Sequence, residues 1–391
     1  MKKLLLSALC IAAFLFSQAQ TTFTNKEGSN YKFVTIKDIE ATGVGNQNRS
    51  STCWSYSSLS FFESELIRMG KGEIKLAPMY VVRKAYEDKV KKYVRMHGEI
   101  NLGPGGAFHD AKYVWQNYGI IPASADSSAL ITGDENPVHS ELDAMVKAMA
   151  EIIVGAKNNN KLSQVWQNAI NGVLDAYLGK EPKEFMYNGK KYTPNSFAQF
   201  LGLNMDDYIA ITSYSHHPFY SQFALEVPDN WLWGTCYNLP INEFDQVIEN
   251  AVTNGYGISW AADVSEKGFN WKSGLAIVPA DEEWESLATA DREKAFTEPV
   301  KQKEITQANR QEAFDNYTTQ DDHGMHITGI MKDQQGTVYY KVKNSWGSYD
   351  GNNCGGYIYA SRQYVLYKTT NILVHKDALP KDIAKKLAIK K

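Results

Sequence analysis

Residues 46–57 read Asn46-Gln47-Asn48-Arg49-Ser50-Ser51-Thr52-Cys53-Trp54-Ser55-Tyr56-Ser57. After Cys53, the apolar residues Leu59, Phe62, Leu66 and Met69 recur at three- and four-residue spacing, one stripe of an amphipathic helix. Ser50, Ser51 and Thr52 are candidate N-caps, and Gly70 and Gly72 suit the C-terminal end. Cys53 is therefore expected in the first helical turn. There, unpaired backbone N–H groups and the macrodipole favour negative charge, which a thiol needs to become a nucleophile.

A second constellation lies far downstream. His326-Ile327-Thr328-Gly329-Ile330-Met331 reads as a strand, Asp333-Gln334-Gln335-Gly336 as a turn, and Thr337 to Lys343 as a second strand. The midpoint of His326 and Asn344 falls at Gln335, inside the turn. A regular hairpin thus places Asn344 opposite His326, or within a residue or two, where side chains touch. His326 is the expected base, Asn344 its orienter, and Trp346 a shield for their hydrogen bond. His323 is the rival base, expected in a solvated loop beside Asp321 and Asp322.

Gln47 six residues before Cys53, the Cys53-Trp54 pair, His326 and Asn344-Ser345-Trp346-Gly347 resemble the papain superfamily of cysteine peptidases. The resemblance implies an α+β, papain-like fold, with a helical half and an antiparallel β-rich half facing each other across a cleft. It implies that Gln47 and the backbone N–H of Cys53 donate to an oxyanion. It also implies that Gly105 and Gly106, in Gly103-Pro104-Gly105-Gly106-Ala107, pair with substrate backbone, with Trp54 and Trp346 beside the substrate. Without the resemblance, that glycine run reads as a turn into a helix around Tyr113–Tyr118. It is no phosphate loop, since no Gly-Lys-Ser/Thr follows.

His326 lies 273 residues past Cys53, whereas papain-like enzymes usually show about 130–150. An insertion of that size resembles the bleomycin hydrolase and aminopeptidase C branch. Leu76-Ala77-Pro78-Met79-Tyr80, Gly119-Ile120-Ile121-Pro122 and Tyr237-Asn238-Leu239-Pro240-Ile241 agree with it. The branch implies an aminopeptidase on peptide substrates, and a homo-oligomer, hexameric by resemblance. Its members typically end in a Trp-Asp-Pro tail that restricts cleavage to N-terminal residues. This chain instead ends in a lysine-rich stretch from Leu379 to Lys391. Two roles are open for that end: a solvated tail, or a carboxylate at Lys391 that receives the substrate ammonium. An endopeptidase or oligopeptidase on the same site is the alternative activity, and an inactive peptide-binding protein a third.

The chain divides into a signal peptide over 1–19, a polar leader over 20–36 and a helical half over 37–130. A mainly helical insertion over 131–235, a β-rich half over 236–375 and the tail over 376–391 follow. Lys2 and Lys3, the apolar run Leu4–Phe16 and Ser17-Gln18-Ala19 form an export signal cleaved near Ala19, so a periplasmic or secreted location is expected. Within the insertion, one helix begins at Ser140 with Leu142, Met145, Met149 and Ile153 on one face. A second carries Val165, Trp166, Ala169, Ile170, Val173 and Leu174, with Asn158–Asn160 as the turn between. The pair reads equally as a lid, a subunit interface or an enlarged core. A further helix starts at Asn242.

A formal charge of −3 and 43% hydrophobic residues allow a large core and give no sign of nucleic-acid binding. No cofactor or metal is expected, because His216-His217 lacks convincing ligand spacing. Loss of Cys10 with the signal leaves Cys53, Cys236 and Cys354, and whether the last two form a bridge is open.

Overall fold

The structure, a computed structural model, describes residues 22–126, 128, 137–156, 161–348 and 351–390. The expected signal, the Asn158–Asn160 turn and Lys391 lie outside them.

Two strands come first, β1 (Thr22–Phe23) and β2 (Phe33–Asp38). The half that carries Cys53 follows as three helices, α1 (Cys53–Arg68), α2 (Pro78–Arg95) and α3 (Phe108–Tyr118). The inserted region carries α4 (Ser140–Gly155), α5 (Val165–Leu178), the hairpin β3 (Phe185–Tyr187) and β4 (Lys190–Tyr192), α6 (Pro194–Leu201), β5 (Tyr208–Thr212), β6 (Gln222–Ala224) and β7 (Thr235–Asn238). Then come α7 (Ile241–Thr253), β8 (Ile258–Ala262), β9 (Phe269–Asn270), β10 (Leu275–Ala276), α8 (Thr289–Glu293) and α9 (Gln307–Asp315). The chain closes with β11 (His323–Lys332), β12 (Val338–Lys343), β13 (Tyr357–Ser361), α10 (Arg362–Lys368), β14 (Thr369–His375) and α11 (Lys381–Lys386). The fold is mixed α+β.

A twelve-stranded sheet runs β6-β7-β5-β14-β8-β11-β12-β13-β10-β9, with β2 and β1 attached through β11. Strand β11 is its hub. It pairs with β12 on one side and, on the other, with β8 over its first half and β2 over its second. Helix α1 packs across β11 and β8. Its stripe Leu59, Phe62 and Leu66 is buried as the periodicity requires, while Met69, past the helix end, is half exposed. Thr52 precedes the helix without capping it; its hydroxyl meets that of Ser50 at 2.5 Å.

The α4–α5 pair enlarges the core. Leu142, Val146, Ala150, Ile170, Leu174 and Leu178 join one apolar cluster with α2 residues such as Val82 and Tyr86. The buried face of α4 is the i, i+4, i+8 row from Leu142, and Met145 points outward. The inserted region also donates β5, β6 and β7 to the sheet.

Both chain ends differ from expectation. The stretch expected as a polar leader is anchored, because Tyr31 and Phe33 are fully buried against Tyr339 and Tyr359. The lysine-rich end is not a solvated tail. Ile383, Ala384 and Leu387 share a cluster with Phe244, Val247 and Ile248 of α7, and Lys386 pairs with Glu243 at 2.7 Å. The amphipathic spacing Ile383-Ala384-Leu387 gives α11 a narrow apolar face, and its lysines face water. Cys53, Cys236 and Cys354 are all free thiols. Among the described residues no helix is long and apolar enough to cross a membrane.

The packing of α11 predicts that Ile383→Ala lowers unfolding free energy by about 2–4 kcal/mol, read from a urea melt. An unchanged midpoint would mean that the end is not docked.

Candidate active site

Cys53 is the first residue of α1, with no intrahelical partner for its N–H. It lies on the floor of an open cleft of about 540 Å³ between the helical half and the sheet. The cleft walls include Gln47, Trp54, Gly103 to Ala107, Asp229, Asp321 to Gly324, Trp346 and Asn371. Gly324 lets the helix come this close. A Cβ there would stand 2.7 Å from Ser57 Oγ and 3.3 Å from the Trp54 Cα. The backbone N–H of Gly324 is directed at the Cys53 thiol.

The imidazole in the cleft belongs to His323, not His326. His323 Nε2 lies 2.7 Å from Asn344 Oδ1, so the ring donates from Nε2 and keeps Nδ1 as an acceptor. The indole of Trp346 covers the ring at 4.8 Å between centroids. Nor is His323 in a solvated loop; it opens β11 and pairs with Ala262. His326 is fully buried two helical turns further along α1. Its Nδ1 meets Ser60 Oγ at 3.0 Å, and its ring lies edge-on to Phe61. Ser60 in turn receives the Lys343 ammonium at 2.8 Å.

A single extra residue makes this difference. From Lys332↔Val338 to Gly329↔Lys341 the hairpin keeps the register that the turn sets. At Thr328 the β11 strand bulges, and the pairing resumes as Ile327↔Val342 and His326↔Lys343. A one-residue slip turns side chains to the other face. His326 therefore shares a face with Lys343 and points at α1. Asn344 points the opposite way, where it meets His323 and Trp346.

The Gln47 wall of the cleft is sewn to the same hairpin. Gln47 N donates to Ser345 O at 2.8 Å, Gly347 N donates to Gly45 O at 3.0 Å, and Asn46 bridges to Trp346. Ser345 Oγ donates to Gln47 Oε1 at 2.6 Å, which leaves the Gln47 amide hydrogens for the cleft. Trp54 is a buried wall, and its Nε1 donates to Pro104 O at 3.1 Å to hold the Gly105-Gly106 run in place. The structure thus brings Cys53, Gln47, Asn344, Gly105, Gly106, Trp54 and Trp346 together, and leaves His326 out.

Burial pushes the Cys53 thiol up to about 12, against the pull of the Gly324 N–H. Burial likewise pushes His323 down to about 4, against its Asn344 hydrogen bond. Both shifts favour a neutral resting pair. Passing the thiol proton to the ring creates two opposite charges in one cleft, which costs far less than a lone buried ion.

Sequence reasoning missed the acidic wall. Asp229, Asp321 and Asp322 line the cleft, and no described lysine or arginine does. Asp322 accepts from Ser265 N at 2.9 Å. Asp321 is raised to about 7, first by burial and then by Asp229. Asp321-Asp322 was visible beside His323, but Asp229 sits in a Pro-Asp-Asn turn that carries no catalytic signature.

His216, His217 and Glu226 form the one described group able to hold a metal ion. Each ring Nε2 already faces a Glu226 oxygen, at 3.1 and 2.6 Å, and Gln311 donates to His216 Nδ1 at 3.0 Å. The three satisfy one another without an ion, and none lines the cleft.

A helix-start thiol and an Asn-held imidazole lining one cleft of a two-part fold are the arrangement of the papain-like class of cysteine peptidases. A profile of the Peptidase C1-like family matches residues 79–390, and the chain belongs to that family. It is 22% identical to "Aminopeptidase C" of Listeria monocytogenes, covering 88% of this chain and 83% of that protein. It is 21% identical to "Aminopeptidase E" of Lactobacillus helveticus, covering 94% and 89%. The crystal structure of PepW from Lactobacillus rhamnosis superposes with a TM-score of 0.66 at 19% identity, over 91% of this chain and 84% of that one. These likenesses put the chain in the aminopeptidase C and bleomycin hydrolase branch.

The raised Asp321 carboxyl has a consequence for stability. An unfolded aspartate ionises near about 4, while Asp321 in the fold keeps its proton to about 7. Between those values the unfolded chain gives up the proton and the fold does not, so stability falls as pH rises; above about 7 the penalty is constant. Asp321→Asn should therefore raise Tm by a few degrees at pH 8 and leave it unchanged at pH 4. Equal shifts at both pH values would contradict the raised carboxyl.

Proposed function

We propose that the protein is an exported cysteine aminopeptidase whose nucleophile, base and orienter are Cys53, His323 and Asn344. The observation that carries the reading is the His323 Nε2–Asn344 Oδ1 hydrogen bond of 2.7 Å in the cleft that holds Cys53. His323 Nδ1 takes the Sγ proton, and the thiolate attacks the scissile carbonyl carbon. The amide of Gln47 and the backbone N–H of Cys53 receive the oxyanion. His323 then hands its proton to the leaving nitrogen, the C–N bond breaks and a thioester remains. Water, deprotonated by His323, attacks that thioester and releases the acid and the thiol.

The aminopeptidase part rests on the names of the relatives. The endopeptidase reading draws on the docked C-terminal helix, since no described residue after Asn371 lines the cleft. Product analysis on one peptide, free and N-acetylated, separates the two: release of single residues from the free peptide alone supports the aminopeptidase. The export part rests on the charged, apolar and small-residue run of 1–19. Amino-terminal sequencing of the native protein should begin at Gln20, and a chain that keeps Met1 in the cytosol would overturn it. The hexamer implied by the branch is read by light scattering.

Cys53→Ala should abolish hydrolysis in a folded protein. His323→Ala should cost about 10³-fold or more in kcat, with Asn344→Ala between it and wild type. Gln47→Ala should cost roughly 10²–10³. His326→Gln should keep kcat/KM within a few-fold below its melting temperature, while lowering that temperature. If His326→Gln were the dead variant and His323→Ala active, the base would be misassigned.

A further inference from the structure

The acyl end of the cleft carries an anion from within the chain. A leaving nitrogen must meet His323 to be protonated, so the leaving portion lies along His323 and Trp346. The acyl portion then lies along the other wall, over Gly105 and Gly106. Asp229 stands on that wall. A Cβ at Gly105 would be 1.8 Å from Asp229 Oδ2, so only the bare glycine leaves room for the carboxylate. Asn101 Nδ2 donates to Asp229 Oδ1 at 2.9 Å. Oδ2 takes no hydrogen bond from any described residue.

The carboxylate is held firmly. Asn230, its neighbour, donates to Leu225 O at 2.9 Å and Gly234 O at 3.0 Å, and accepts from Gly234 N at 2.8 Å. Trp231, buried, donates from Nε1 to Asp110 Oδ2 at 2.7 Å. The nearest cation, Lys89, does not neutralise Asp229 by direct contact, because its ammonium is spent on the carbonyls of Gly103 and Gly105. Asp321 adds a second carboxyl to the same cleft, near enough that Asp229 opposes its ionisation.

We propose that Asp229, supported by Asp321, is the receptor for the α-ammonium of the substrate and makes the enzyme an aminopeptidase. This rests on the Cys53–His323 reading above. A residue with a free amino group in front of the scissile bond would set its charge against Oδ2. A longer or N-acetylated acyl portion would bring an uncharged or bulky group into the space that Asp229 fills, and lose the ion pair. Selectivity for chain ends then comes from the turn at 228–231.

The test uses the full chain and two fluorogenic reporters, an aminoacyl amide and its N-acetylated counterpart, with iodoacetamide labelling of Cys53 as a separate readout. Asp229→Asn preserves shape and removes charge. It should lower kcat/KM on the aminoacyl amide about 10–100-fold, the cost of one charge-assisted contact, mainly through KM. Asp229→Ala should lose the same activity and gain on the N-acetylated reporter. Thiol labelling should persist in both, no slower than in the wild type, because losing the Asp229 charge only eases ionisation of Cys53. If both variants label normally and keep wild-type selectivity, Asp229 is not the receptor, and the cysteine peptidase reading survives. If wild-type Cys53 neither labels nor supports turnover, that reading and the receptor fall together.

Discussion

The thiol and the imidazole share one cleft because α1 can lie directly on β11. That contact needs a residue without a side chain at Gly324, where any Cβ would press on Ser57 and on the backbone of Trp54. Pushing the helix away by even a few tenths of an ångström would move the first turn, and with it Cys53, from the strand that begins at His323. The same glycine supplies the N–H directed at the thiol. Position and partial electrostatic support for a developing thiolate thus come from one residue, and the rest of the site is built around that approach.

Beneath the cleft, a buried polar chain keeps the helix in register with the hairpin. Lys343 Nζ reaches Ser60 Oγ at 2.8 Å and Thr42 Oγ1 at 3.1 Å, Thr42 donates to Glu63, and Glu63 accepts from Leu76 N at 2.8 Å. His326 is one end of that chain. Burial holds Lys343 down to about 8 and pushes Glu63 up, each partly offset by the other. Such a network costs desolvation and contributes little net stability, but a half-satisfied version would be worse, so it penalises any slip of α1 along β11.

Much of this was legible in the sequence. Cys53 at a helix start followed from the three- and four-residue spacing and the polar run before it. The hairpin followed from alternation and from the Asp333–Gly336 turn, and four of its pairs keep the register that the turn implies. The base did not follow. Turn-centred counting gives one register for a whole hairpin, and the bulge at Thr328 breaks it without a glycine or proline at the bulged position. His323 and His326 lie three apart, so period-two alternation puts them on opposite faces, and one inserted residue decides which face the asparagine shares. The docking of α11 was hidden for another reason. Five lysines in the last eleven residues dominate its composition, while three apolar side chains bury the face that matters.

The acidic wall was the least legible, because it is assembled from a turn near 229, a strand approach at 321 and a bare glycine at 105, far apart in the chain. It is also where the structure tolerates a cost. Carboxyls at Asp229 and Asp321 share a partly desolvated cleft lined by no described lysine or arginine; burial raises both, and Asp229 raises Asp321 further. A fold free to choose would place an amide or an apolar group there, as it does at Asn371 and Ala261 on the same walls. Raised carboxyls kept in a cleft beside the Cys53 thiol are the mark of a site that binds or reacts rather than of a structural ion pair. On the proposed reading, a peptide's α-ammonium would offset that cost each time it bound and withdraw the relief when the product left, so that the energy withheld from the empty fold would be available for holding the substrate.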